Sequence, residues 1–183
     1  RAARFLELYY QRVMDFFRSF RYAIRGIAAG IKSERNMRIH IVAALYVLAL
    51  GAFFGLPADR WALLLLTIGS VMSAELVNTA VEKISDAVTK EYHPLIKLAK
   101  DVAAGAVLVT AIFAAVIGVL IFWQPDRLWA LVNFLCGEPA VFTLFILTLL
   151  IAVLFIVIGP AAMAENAKSL FHREGGNDDG GNQ

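Results

Sequence analysis

The chain has 183 residues, 60% of them hydrophobic and 17% charged, with a formal net charge of +2. Soluble domains carry about 45–50% apolar residues, so the composition excludes an ordinary water-soluble globule and points to an integral membrane protein. The net charge says little by itself; its distribution along the chain carries the information, and no nucleic-acid partner is expected. The length fits one compact membrane domain.

The chain opens at Arg1, which points to a trimmed N-terminus. Its first distinct element is amphipathic. Phe17, Phe20, Ile24, Ile27 and Ile31 recur at spacings of three and four, while Arg18, Arg21, Arg25 and Lys32 take the opposite face. That pattern predicts a basic helix lying in the headgroup layer, with a cationic face able to hold phosphates near the membrane. Gly26 and Gly30, four apart, offer a close approach to another helix. Glu34 follows, at the entrance to the first span. One reading pairs it with Arg38 four residues on; the other makes it a carboxylate for a cation.

Four apolar runs come next: Ile39–Phe54, Trp61–Val81, Val102–Trp123 and Ala140–Gly159. Each approaches the ~20 residues that cross about 30 Å of hydrocarbon. Lys and Arg crowd the segment before the first run and the 83–101 loop, whereas the other two loops hold only Arg60 and Arg127. The positive-inside bias therefore predicts both termini and the 83–101 loop on the cytoplasmic side. The chain's one cysteine, Cys136, cannot form an intrachain disulfide and reads as a small apolar filler.

The second run carries acids where a bilayer is driest. Glu75, Asn78 and Glu82, with Asp86 beyond them, stand at offsets of 3, 7 and 11 and share one helical face. An ionised acid in hydrocarbon costs about 3 kcal/mol on insertion scales, so such a stripe points to function. Mg²⁺ takes oxygen ligands, often only one or two carboxylates completed by water and phosphate. Glu34 and Glu82, one from each of two neighbouring helices, match that minimal set. Glu75 lies about 10 Å, or two turns, deeper than Glu82. That depth suits a general base for a proton on a lipid hydroxyl. Asn78 is placed to orient the base or a phosphate oxygen. In the following loop, Lys100 can neutralise a transferring phosphate, and Tyr92 and His93 can pack on a nucleotide base. Neither a GxxxxGK[ST] loop nor a protein-kinase glycine loop occurs.

These residues also carry a family pattern. Glu34-Arg35-Asn36, the block from Ala74 to Glu82, Asp86, Glu91-Tyr92-His93-Pro94, Ala99-Lys100-Asp101 and the block Ala103–Val107 stand in order. Over residues from about Phe16 to Phe122 the chain resembles the small prokaryotic diacylglycerol kinase and undecaprenol kinase family. The resemblance implies an ATP- and Mg²⁺-dependent lipid kinase of the bacterial plasma (inner) membrane. It implies three transmembrane helices plus a surface helix, assembled as homotrimers with active sites shared between subunits. By the same resemblance Glu75 is the base, Glu34 and Glu82 hold the metal, and Tyr22, Asn78, Glu91, Tyr92, His93, Lys100 and Asp101 contact or orient ATP. Three of the blocks look more like the undecaprenol kinase branch. The place six residues after Glu34, where the diacylglycerol branch usually has a second acid, holds His40. Undecaprenol is therefore the expected substrate, with diacylglycerol as the alternative.

The expected fold is all-α and integral to the membrane. Residues 1–123 form a lipid-kinase domain of one surface helix and a three-helix core. Residues 124–164 add a C-terminal transmembrane helix, and 165–183 form an unstructured tail rich in Gly, Asn and Asp. Two other classes compete: a small transporter, since intramembrane acids also mark ion routes, and an adaptor whose acids only pair with bases. Transporters commonly carry internal repeats and helices broken in mid-span, and the two halves of this chain do not resemble each other.

Overall fold

A computed structural model describes residues 2–175. Over them the chain is helical, in six elements: α1 (Ala2–Ser33), α2 (Arg35–Phe54), α3 (Ala58–Val88), α4 (Pro94–Phe122), α5 (Pro125–Gly137) and α6 (Pro139–Gly175). Four stretches are long and apolar enough to cross a membrane: α2, α3, α4 and residues 139–160 of α6. They coincide with the four apolar runs. α1 carries the amphipathic pattern, and its Phe16, Phe17, Phe20, Ile24 and Ile27 are exposed, as suits a face that lies in the headgroup layer.

Local chemistry sets the boundaries. α2 ends at Gly55 (φ 59°, ψ 50°), whose left-handed backbone lets the N–H groups of Gly55 and Leu56 donate to Ala52 O and Gly51 O at 3.1 and 3.2 Å. Pro57 follows and cannot extend that helix. α4 begins with Pro94 in its first turn after an extended His93, where the missing N–H costs nothing. Between α1 and α2 only Glu34 is non-helical (φ −106°, ψ 122°), and its side chain makes no cap to its own helix. The carboxylate is therefore free to reach elsewhere.

α3 and α4 form the most extensive helix pair, and α2 packs on α3. Phe54, Leu56, Leu64 and Ile121 form an apolar knot at the end of the bundle distant from the acids. Phe54 meets Phe122 edge-on, with centroids 5.5 Å apart. At 31 residues α3 is about 46 Å long, longer than the hydrocarbon core is thick. Its last turns, with Glu82 and Asp86, therefore extend the acidic stripe beyond the apolar knot and out of the driest zone.

The C-terminal part differs from expectation in two ways. The connection from Gln124 to Glu138 contains a helix, α5, started by Pro125 with Asp126 in its first turn and packed beside α6. The helical backbone of α6 also continues to Gly175 through Ala- and Lys-containing turns. Of the expected unstructured tail, residues 176–183 lie outside the described residues. α6 lies against α2 and α5. Tyr46 Oη and Thr148 Oγ1 are 3.2 Å apart, and the Tyr46 and Phe145 rings meet edge-on. The helix is broken at Gly159 (φ 79°, ψ 160°), immediately before Pro160.

Candidate functional site

The acidic stripe of α3 runs from buried to open. Glu75 is 1% exposed and Asn78 is buried, Glu82 is half-buried and Asp86 is exposed. A 3.6-residue period turns each of these side chains to the same face, and α2 and α4 close over its deep end. Thr79 Oγ1 donates to Glu75 O at 2.9 Å, so this hydroxyl is satisfied within the helix.

His40, on α2, is the neighbour of Glu75. Its Nε2 stands 3.3 Å from Glu75 Oε1, within ion-pair range. No hydrogen bond reaches Glu75 Oε1 among the described residues. The carboxylate is thus buried and held beside an imidazole, with Oε1 facing His40. Glu34 and Glu82 both lie near enough to act electrostatically on Glu75.

The other members are tied in pairs. Asn78 Nδ2 donates to Glu82 Oε1 at 3.0 Å, so Asn78 orients Glu82, while its own buried Oδ1 has no hydrogen-bond partner among the described residues. Glu34 Oε1 lies 3.3 Å from Lys83 Nζ, which ties the α1–α2 break to α3. The alternative pairing of Glu34 with Arg38 does not form. Glu34 lies outside the helix, where i,i+4 geometry no longer holds, and Arg38 binds backbone carbonyls instead. At the open end Lys100 Nζ donates to Asp86 Oδ1 at 2.8 Å, joining α4 to α3.

Gly30 accounts for the close passage of α1 over this site. A Cβ there would come 3.1 Å from Leu76 Cδ2 and 3.7 Å from Met37 Cε, whereas one at Gly26 would meet nothing within 4 Å. Only the second glycine of the pair is needed for close approach.

Two concavities flank the stripe. A polar one of about 420 Å³ is lined by Asp86, Lys90, Glu91, Tyr92, His93, Lys97 and Lys100, among others. It gathers four of the expected ATP positions: Glu91, Tyr92, His93 and Lys100. Asp101 is not among its lining; it faces Lys97 one turn back, at 4.0 Å. Tyr22 is exposed on α1 with the Arg21 guanidinium 6.0 Å from its ring centre. No hydrogen bond or ion pair joins Tyr22 to the acids among the described residues. The other concavity, about 250 Å³, is apolar and runs between α2, α3 and α4. His40 stands in its wall, and Ala43, Ala44, Ala111, Ala114, Ala115 and Gly118 keep it open.

The donor set fits a hard cation that brings its own ligands. Glu34 and Glu82 offer carboxylate oxygens, and Asn78 leaves a buried amide oxygen unused. Among the described residues no three His, Cys, Asp or Glu side chains converge tightly enough to hold a metal alone. Mg²⁺ suits such a site, since it commonly takes one or two carboxylates with phosphate and water completing its shell.

His40 and Lys83 were missed by the sequence reading as site members. Both contacts are between helices and depend on how α2 and the α1–α2 break face α3. The spacing within one segment carries no signal for that.

Comparison with known proteins covers the same part of the chain. The family model described as prokaryotic diacylglycerol kinase matches residues 21–122. The undecaprenol kinase of Bacillus subtilis is 47% identical over 107 residues, which cover 58% of this chain and 87% of that protein. A diacylglycerol kinase of Synechocystis sp. is 43% identical over 108 residues, covering 58% of this chain and 62% of the relative. The diacylglycerol kinase of Escherichia coli K12 is 30% identical over 103 residues, covering 56% and 84%.

Proposed function

This chain belongs to the prokaryotic diacylglycerol kinase family and is a membrane lipid kinase, and on that premise we propose that it transfers the γ-phosphoryl group of ATP to the hydroxyl of undecaprenol with Mg²⁺. The observation that carries the chemistry is the graded stripe on α3. Its buried end places Glu75 against His40, which stands in the wall of an apolar cleft, and its open end leads to a polar concavity on the neighbouring loop. A lipid and a nucleotide approach from different media, and the stripe is the surface they share.

The roles follow from position. Glu75 accepts the proton of the lipid hydroxyl, and His40, 3.3 Å from its Oε1, keeps that carboxylate in place. The hydrocarbon chain lies along the alanine-lined cleft. Glu34 and Glu82 would hold Mg²⁺, with Asn78 fixing Glu82. Held there, the metal would supply charge neutralisation for the transferring phosphate. Lys100, now on Asp86, and Lys83, now on Glu34, are the cations nearest the acids and can exchange those partners for phosphate oxygens. Phosphoryl transfer asks mainly for such positioning and charge compensation.

The assembly in this reading is a homotrimer in the bacterial inner membrane, both termini cytoplasmic. The separation of Tyr22 from the acids within one chain supports an assembly, since it leaves room for a neighbouring copy to complete the nucleotide site.

Undecaprenol is favoured over diacylglycerol by the 47% identity to an undecaprenol kinase across most of that enzyme's length. The test is direct. Purified full chain in mixed micelles, offered both lipids at equal mole fraction with Mg²⁺-ATP, is expected to phosphorylate undecaprenol at least about tenfold faster, a difference of ~1.4 kcal/mol in the barrier. Faster phosphorylation of diacylglycerol would move the chain to the other branch.

A further inference from the structure

We propose that the C-terminal helix α6 is a working part of this site: its kink anchors Arg38, and Arg38 fixes the α1–α2 break that presents Glu34. The proposal rests on the reading of Glu34 as a metal ligand and adds a positioning device to it.

Pro160 has no N–H, so the carbonyl four residues earlier, Ile156 O, lacks its helical donor. Arg38 Nε supplies one at 3.1 Å. The Nη1 of the same guanidinium donates to Ile31 O and Lys32 O, each at 3.2 Å. Those are last-turn carbonyls of α1, which a helix end leaves without internal partners. One buried side chain, 7% exposed, thus binds the end of α1 to the kink of α6. Among the described residues Arg38 forms no ion pair with an acid, and its partners there are backbone carbonyls. Ser33 and Glu34 are the two residues between the bonded carbonyls and the start of α2.

Gly159 is the second half of the device. Its φ of 79° lies in the left-handed region that favours glycine. A Cβ there would also sit 3.3 Å from Arg38 Nη1 and 3.4 Å from Cζ. Gly159 and Pro160 together therefore make room for the guanidinium and leave a carbonyl free to receive it. α6 lies wholly outside the residues that match the family, so this contact belongs to the extension of this chain.

The test uses the full chain carrying Gly159→Ala with Pro160→Ala. The double change restores a donor for Ile156 O within α6 and a helical φ at 159, so it favours helix and withdraws the anchor. Mn²⁺ binding, followed by its electron paramagnetic resonance in the presence of a non-hydrolysable ATP analogue, is expected to weaken on the order of tenfold, as for other residues that orient metal ligands. The Mg²⁺ concentration for half-maximal turnover should rise in parallel, with kcat at saturating Mg²⁺ little changed. Combination with Glu34→Ala should add no further loss, since both act through one carboxylate. Arg38→Lys, which keeps the charge but cannot bridge two helices, should weaken Mn²⁺ binding in the same direction and decides the matter if the double variant does not fold. Unchanged Mn²⁺ binding in these variants, while Glu34→Ala alone weakens it, overturns the anchor and leaves the ligand assignment standing. Unchanged binding in Glu34→Ala itself overturns the ligand assignment, and the proposal with it.

Discussion

Glu75→Gln is expected to lower kcat for lipid phosphorylation by about 10²–10⁴-fold, the usual contribution of a positioned general base. The amide is isosteric with the carboxylate, so packing around this 1%-exposed side chain is retained, but it cannot take up a proton. The loss should appear in kcat far more than in KM for either substrate, because the interaction is made only as the hydroxyl oxygen attacks. His40 would keep its neighbour, so folding and assembly should be unchanged by thermal unfolding and gel filtration in detergent. Turnover near that of the natural chain would remove Glu75 from the role and leave the acid a structural partner of His40.

Glu82→Ala is expected to have the second-largest effect, lowering kcat/KM for Mg²⁺-ATP on the order of 10²–10³-fold, as when a preorganised electrostatic group is removed. Two things are lost together: a carboxylate for the metal, and the partner that Asn78 Nδ2 reaches at 3.0 Å. Glu34→Ala should act in the same direction. It also releases Lys83, which stands 3.3 Å from Glu34 and can then compensate phosphate charge without the metal. The diagnostic is the Mg²⁺ titration. Both variants should need more Mg²⁺ for half-maximal turnover, whereas KM for the lipid should be little affected. Mg²⁺ curves unchanged from the natural chain in both variants would show that the two acids are not ligands.

The stripe at 75, 78, 82 and 86 was legible from sequence because helical period alone places those residues on one face, and hydrocarbon makes acids there conspicuous. The four spans were legible for the same reason: composition over about twenty residues decides them. α5 was not read, although Pro125 and Gly137 bracket it, because thirteen residues of mixed character lie too near the length of an ordinary connection. The pairing of His40 with Glu75 and of Lys83 with Glu34 escaped because each joins helices whose relative rotation is set by packing, as where Gly30 admits Leu76. Arg38 illustrates the limit most clearly. An i,i+4 partner was visible at Glu34, but the real acceptors lie on α1 and on α6, and Ile156 is 118 residues away in sequence. The one signal was local: a glycine and a proline side by side in a span otherwise free of helix breakers.

The transporter and adaptor readings lose ground on the same geometry. The acids stand on one face of α3 and grade from buried to exposed toward one end, beside a cleft and a polar concavity. The membrane-spanning stretches of α2 and α3 show no mid-span break that would open a route across.

Phosphoryl transfer to a lipid alcohol is the central claim, and its most direct measurement is stoichiometric. Purified full chain with undecaprenol in micelles is given γ-labelled ATP, and label in lipid, label in inorganic phosphate and ADP are counted together. The prediction is one labelled phosphate on the lipid for each ADP formed, with both falling to background when Mg²⁺ is chelated. ADP accompanied only by labelled inorganic phosphate, or no label on the lipid from a folded sample with Mg²⁺, would contradict the central claim.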